Sequence, residues 1–303
     1  MSPKYVIQTS KYWGLLMIDI NSKVISSLEK KSRQIRLETA RICYQVGPER
    51  KAHPGPALSI TDIIVALYYH VMEINPQKPN WSDRDRFILS KGHGCVSLYA
   101  VLADIGYFPK KELYTLRRLG SILQGHPCMG KTPGIDMTAG SLGNGLGAGV
   151  GMAIGAKLDN KNNTVFVLIG DGELNEGIVW EAAETASKYD LDNIVAIVDV
   201  NRFQSCGPCD VIMPSEDIKA KWCAFGWDAE QIDGHDMSQI LYSINLAKYK
   251  KMGYPKVIIA NTVKGKGISF MENNNSWHQR ALTKDEWLIA KEELGENKND
   301  IPK

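Results

Sequence analysis

Two apolar runs, TVFVLIG ending at Gly170 and NIVAIVDV ending at Val200, are rich in β-branched residues and too short for buried helices. That pattern predicts central strands of a parallel sheet. Between them lies the helix-compatible segment GIVWEAAETASKYDL, and a third strand, KVIIANTV, follows the helix-like SQILYSINLAKYKKMG. Upstream, Val24, Ile25, Leu28, Ile35, Leu37, Ile42 and Val46 recur at roughly helical spacing within residues 21 to 50, which predicts one or two amphipathic helices. RKAHPGPALSITDIIVALYYHVM reads as a Pro/Gly loop followed by a helix starting near Ser59 or Thr61, both good capping residues. DRFILSKGHGCVSLYAVLADIG reads as a short strand, a glycine turn around His93 and a helix. Strands alternating with helices define an α/β fold whose parallel sheet is covered on both faces.

Composition narrows the class. With 303 residues, 44% of them hydrophobic, the chain can bury a sizeable core. A formal net charge of +2, from 36 basic and 34 acidic residues, gives no field suited to nucleic acid or an acidic membrane. The expected partner is a small molecule or another protein. Six irregularly spaced cysteines do not form a disulfide framework, so reduced thiols and a cytoplasmic location are expected. The apolar stretch YWGLLMIDI is interrupted by Asp19 and lacks a small-residue cleavage site, which argues for an arm packed on the body rather than a signal peptide. The expected division is an arm over 1–22, one domain over 23–290 and a tail over 291–303.

MTAGSLGNGLGAGVGMAIGA, residues 137 to 156, repeats glycine every four positions at Gly143, Gly147, Gly151 and Gly155, on one face of a helix. As a membrane span it fails, because glycine and alanine contribute little transfer free energy and Asp136 and Lys157 flank it without an aromatic belt. As a dinucleotide loop it also fails: Gly143, Gly145 and Ala148 fit GxGxxA, yet no apolar strand precedes them.

The chemistry is expected where strands end, since ligands of parallel sheets bind beyond their carboxyl ends. VLIGDGELNEG puts Asp171 at one strand end, and VDVNRFQ puts Asn201 at the next. Both side chains offer hard oxygen, which suits Mg²⁺ shared with a ligand's phosphates. Alone, GDG is a plain turn with Asp171 as a helix cap; followed about thirty residues later by a strand-end Asn, it resembles the thiamine diphosphate enzymes. RKAHPGPALSITDI, LSKGHG, GHP at 125 to 127, TAGSLGNGLGAGVGMAIG, GDGELNEG and QIDGHD occur in the order found in transketolases. From about residue 30 to 280 the chain resembles the amino-terminal, diphosphate-binding part of that family.

The resemblance implies a three-layer α/β/α thiamine diphosphate-binding fold with a central, mostly parallel sheet. It implies Mg²⁺ (or Ca²⁺ or Mn²⁺) on Asp171, Asn201 and the Phe203 carbonyl. Gly172 and His93 would touch the diphosphate, and Gly140, Ser141 and Leu142 would line the thiazolium and pyrimidine region; His278 joins the cofactor-binding set. His53, His126 and His278 match histidines that face the ketose or move protons, a task imidazole performs at neutral pH. Glu176 matches a glutamate that links two cofactor sites across a dimer, and the glycine ladder would lie near that subunit contact. His235 is read as structural.

In the family, the glutamate that activates the aminopyrimidine lies in a second domain, for which this sequence has no room. The expectation is therefore one subunit of a split transketolase, moving a two-carbon ketol unit from a ketose to an aldose, sugar phosphates among them. A separate pyrimidine-binding chain would complete it, as α₂β₂. Rivals are a dehydrogenase E1 α chain, a deoxyxylulose phosphate synthase, or a non-catalytic relative that keeps the fold. A different class is suggested by Cys206 and Cys209, a CxxC as in thioredoxin-type oxidoreductases, although Pro214 follows and no helical run opens there. Zinc on Cys206, Cys209 and Cys223 lacks the usual paired spacing.

Overall fold

The computed structural model describes residues 20–214 and 217–295. The arm expected over 1–22 and the tail over 291–303 therefore lie largely outside the described residues. Five strands form one sheet: β1 (Arg86–Leu89), β2 (Val165–Gly170), β3 (Ile194–Val200), β4 (Asp228–Asp233) and β5 (Lys256–Asn261). Their order is β1-β2-β3-β5-β4 and every pairing is parallel.

Alternation along the strands sends side chains to two cores. Phe87, Phe166, Leu168, Val195, Ile197 and Ile258 face one layer, with the long helix Ser22–Gln45 and the helices Cys95–Asp104 and Met237–Tyr249. Ile88, Val167, Ile169, Ala196, Val198 and Ile259 face the other, with Asn144–Leu158, Gly177–Lys188 and the fully buried Trp222. The expected strands and helices are present, and the three-layer α/β architecture is the observed one.

Two expectations from the pattern change. The helix expected from Ser59 or Thr61 is preceded by another, Pro54–Ser59, with Pro54 in its first turn and His53 as its N-cap; a proline there surrenders no intrahelical bond. Strand β4 was not among the expected strands. It is an edge strand in which only Ile232 is buried, so it shows no apolar run.

The glycine ladder is also redistributed. Gly143 precedes the helix Asn144–Leu158 with φ +84° and packs on Ile178 and Glu176. The glycines that press the helix onto the sheet are Gly145 and Gly149, where a Cβ would collide with the Ser90 side chain and lie 2.6 Å from Val167 Cγ2, respectively. Gly147, Gly151 and Gly155 open onto free space within this chain. No helix among the described residues is long and apolar enough to cross a membrane.

Candidate active site

Ser90, Asp171, Asn201 and Thr262 each follow the last residue of a strand, so four neighbouring carboxyl ends deliver polar groups to one edge of the sheet. At its centre is Asp199, fully buried in β3. Its carboxylate takes Lys91 Nζ and Thr262 Oγ1 in short contacts, Ser59 Oγ at 2.8 Å and Asn201 Nδ2 at 2.8 Å. Burial opposes its ionisation, but the Lys91 ammonium and these donors hold it below the ordinary carboxylate range.

The bond to Asp199 fixes the Asn201 amide, whose Oδ1 accepts from Phe203 N–H at 3.1 Å in a turn. Arg202, at φ +65°, bends the chain so that its N–H donates to Asp171 Oδ2 at 2.5 Å, while Gly172 N–H donates to Asp171 Oδ1 at 2.7 Å. Asp171 and Asn201 are thus tied into one loop pair. Even so, burial and the neighbouring Asp199 push the Asp171 carboxyl up to about 6. It is a carboxylate in want of a positive charge.

A ligand's anion has a place beside it. A Cβ on Gly172 would lie 2.9 Å from Gln204 Cγ, so only glycine permits the approach, and Gln204 Nε2 is a buried donor with no partner. Lys264, buried in the loop after β5, is pushed down to about 8 by burial and by Lys91. A diphosphate would supply the acceptor that Gln204 lacks and the negative charge that Lys264, whose hydrogen-bond partners are all neutral, lacks. These residues fit Mg²⁺ and a diphosphate.

Four histidines from four loops surround the same edge. The His53 ring lies 5.8 Å from His93, 5.8 Å from His126 and 5.5 Å from His278, and His93 lies 5.2 Å from His278. An antiparallel bridge from Ala52 to Arg280 brings the first and last of these loops together. Gly92 admits the loop of His126, since a Cβ there would sit 2.9 Å from Ala139 and 3.3 Å from His126. Burial first, then neighbouring cations and imidazoles, lower all four: His53 to about 3, His278 to about 4, His93 well below the ordinary value, and His126 through burial and Arg117. They stand neutral at pH 7, able to donate at one nitrogen and accept at the other.

The remaining expected residues differ in exposure, and the loop of Gly140 is held to that of His126 by Ala139 N–H, which donates to Pro127 O at 3.0 Å. Gly140 and Ser141 are exposed and Leu142 is half-buried. Glu176 is exposed beside Gly143 at the start of Gly177–Lys188. His235 has a structural pattern of contacts: Nε2 accepts from Val263 N–H at 2.8 Å, which leaves Nδ1 to donate to Asp62 at 2.7 Å, a carboxylate also paired with Arg36. Of the CxxC pair, Cys206 is exposed and Cys209 buried, with burial and Asp171 pushing the Cys209 thiol up to about 12. Cys209 is therefore not itself a nucleophilic thiolate. Among the described residues no three His, Cys, Asp or Glu side chains form a metal-holding group, which removes the zinc reading of Cys206, Cys209 and Cys223.

Sequence reasoning missed Asp199, Lys91, Lys264 and Glu173. Glu173 is buried and accepts from Gly143 N–H at 2.7 Å and Gly170 N–H at 3.0 Å, with Ser90 Oγ in short contact. It fastens the loop before Asn144–Leu158 to the end of β2. For Asp199 alone a local signal was available, a single charged residue inside an apolar run.

The family described as "Transketolase, thiamine diphosphate binding domain" matches residues 33–302. The chain belongs to the transketolase family of enzymes. It is 45% identical over 250 residues to the 6-deoxy-6-sulfo-D-fructose transketolase subunit SqwG of Clostridium sp. (strain MSTE9), covering 82% of this chain and 90% of that one. With an apulose-4-phosphate transketolase subunit of Phocaeicola vulgatus it shares 38% over 279 residues, covering 92% and 98%. Among solved structures, the transketolase from Leishmania mexicana superposes with a TM-score of 0.84 at 30% identity, covering 91% of this chain and 42% of that one. This chain thus spans about two fifths of the length of that transketolase.

Proposed function

We propose that the chain is the diphosphate-binding subunit of a transketolase, transferring a two-carbon ketol unit from a ketose to an aldose together with a separate pyrimidine-binding chain, as α₂β₂. The observation that carries this reading is the strand-end group Asp171, Asn201, Gly172 and Gln204 beside four neutral histidines. When bound, thiamine diphosphate supplies a nucleophilic thiazolium carbon and an electron sink for C–C cleavage. Asp171, Asn201 Oδ1 and the Phe203 carbonyl would hold Mg²⁺; Gly172, Gln204 and His93 would hold the diphosphate; Gly140, Ser141 and Leu142 would flank the rings. His53, His126 and His278 would exclude water and each either orient the ketose or move protons.

The separate partner is supported by two relatives that are named as transketolase subunits and matched over nearly their whole length. The ketoses in their names, one sulfonated and one phosphorylated, make ketoses with an anionic end the first donors to try. Arg117 gives that choice a local basis, because its guanidinium packs along Gly125 beside His126 and has no ion pair among the described residues. Glu176, Ile178 and the open glycines 147, 151 and 155 form the face assigned to the subunit contact.

The test is reconstitution with candidate pyrimidine-binding chains, followed by product analysis. Two-carbon transfer by the pair and none by the chain alone is expected. Full-rate transfer by the single chain would overturn the split assignment, and decarboxylation without transfer would favour the E1-like or synthase-like alternatives.

A further inference from the structure

We infer that Lys264 is a positioning residue that fixes His278 as its Nε2–H tautomer, making this ring a neutral hydrogen-bond donor to substrate oxygen and not a base. The inference rests on the transketolase reading of the site and gives one of its histidines a single direction of hydrogen bonding. Lys264 is fully buried, and its Nζ faces three acceptors: Asn275 Oδ1 at 2.6 Å, His278 Nδ1 at 3.1 Å and Gln204 O at 3.5 Å. An ammonium has three hydrogens and no lone pair. Toward Lys264, His278 Nδ1 can therefore only accept.

The neighbouring amide is fixed in the same sense. Asn275 Nδ2 donates to Ser205 O at 3.0 Å, which leaves Oδ1 turned to Lys264. With Nδ1 occupied as an acceptor, the single proton of a neutral imidazole sits on Nε2. The groups facing the ring are Lys264, Lys91, His53 and His93, none of them a carboxylate that would favour imidazolium. Burial adds to the same preference, holding His278 near 4. Base work at this site then falls to His53 or His126.

The readout is the tautomer, taken by long-range ¹H–¹⁵N correlation on the full chain carrying ¹⁵N-histidine, with the His278 signal found by difference from H278N. The expected result is the Nε2–H pattern in the wild type, its loss or mixing in K264M, and its retention in K264Q, whose amide N–H still donates. A wild-type Nδ1–H tautomer or imidazolium at pH 7 overturns the inference, as does an undisturbed Nε2–H pattern in K264M. Should K264M not fold, the wild-type tautomer and K264Q decide it: Nε2–H in both upholds the inference, and Nδ1–H in either overturns it. In the reconstituted enzyme K264M should lose about tenfold or more in kcat, with the donor KM little changed, as for removal of an oriented donor. The tautomer is measured without turnover, so failure of the transketolase reading and failure of this assignment give different results.

Discussion

Replacing Asp199 with Asn tests whether the buried Lys91–Asp199 pair supports the site. The side chains are 1% and 0% exposed. Three donors, from Lys91, Ser59 and Asn201, converge on Oδ2, and only Thr262 uses Oδ1. An asparagine with its oxygen in the place of Oδ2 keeps three of these bonds, and the Thr262 hydroxyl can turn to accept the fourth. What is lost is the negative charge, which leaves an ammonium buried without a counterion. Breaking such a pair costs about 3–5 kcal/mol. At roughly 2.1 cal/mol/K of unfolding entropy per residue, the full chain has about 0.6 kcal/mol/K, so the melting temperature should fall by about 5–8 °C. Calorimetric melting of D199N, K91M and the double variant measures this. The double variant should be less destabilised than the sum of the singles. A D199N melting point within about 1 °C of wild type, or additive losses, would refute the reasoning.

Packing and charge lead to four further outcomes. G145A and G149A should destabilise the isolated chain by roughly 1–3 kcal/mol in urea unfolding, since a Cβ at either meets the sheet. G147A and G151A, on the open face, should be neutral or stabilising by up to about 1 kcal/mol, while G147L and G151L should weaken assembly with the partner in sedimentation; unchanged assembly would remove this face from the contact. His53 and His278 have folded pKa values near 3 and 4, below the ordinary 6.5. Their neutral forms are favoured by folding, so the stability they contribute is present above pH 6.5 and lost as pH falls below it. Between pH 7 and 5, discounting for partial solvent access, wild type should lose about 2–3 kcal/mol more than H53N/H278N; equal losses would contradict the shifts.

The central strands were legible because a strand buried on both faces is an unbroken β-branched run, as in VFVLIG and IVAIVDV. β4 was not, because an edge strand with one buried residue looks like a polar loop. At the site, Asp171 and Asn201 were legible from strand-end position, and the histidines from the family resemblance. Asp199 and Lys91 were not: within IVAIVDV the aspartate is one polar letter, and its role arises only when Ser59, Lys91 and Thr262 arrive from distant loops. Lys264 was hidden likewise, since nothing local in VKGKG distinguishes its buried first lysine from the more exposed Lys266. The ladder was seen, but the neighbours that distinguish Gly145 and Gly149 from Gly147 and Gly151 belong to other strands.

The most direct measurement is calorimetric titration of thiamine diphosphate into the wild-type chain and into D171A and N201A, each with and without Mg²⁺. The account predicts binding to wild type that requires Mg²⁺ and is lost in both variants. Binding that is undiminished in D171A, binding indifferent to Mg²⁺, or no binding to wild type would contradict it.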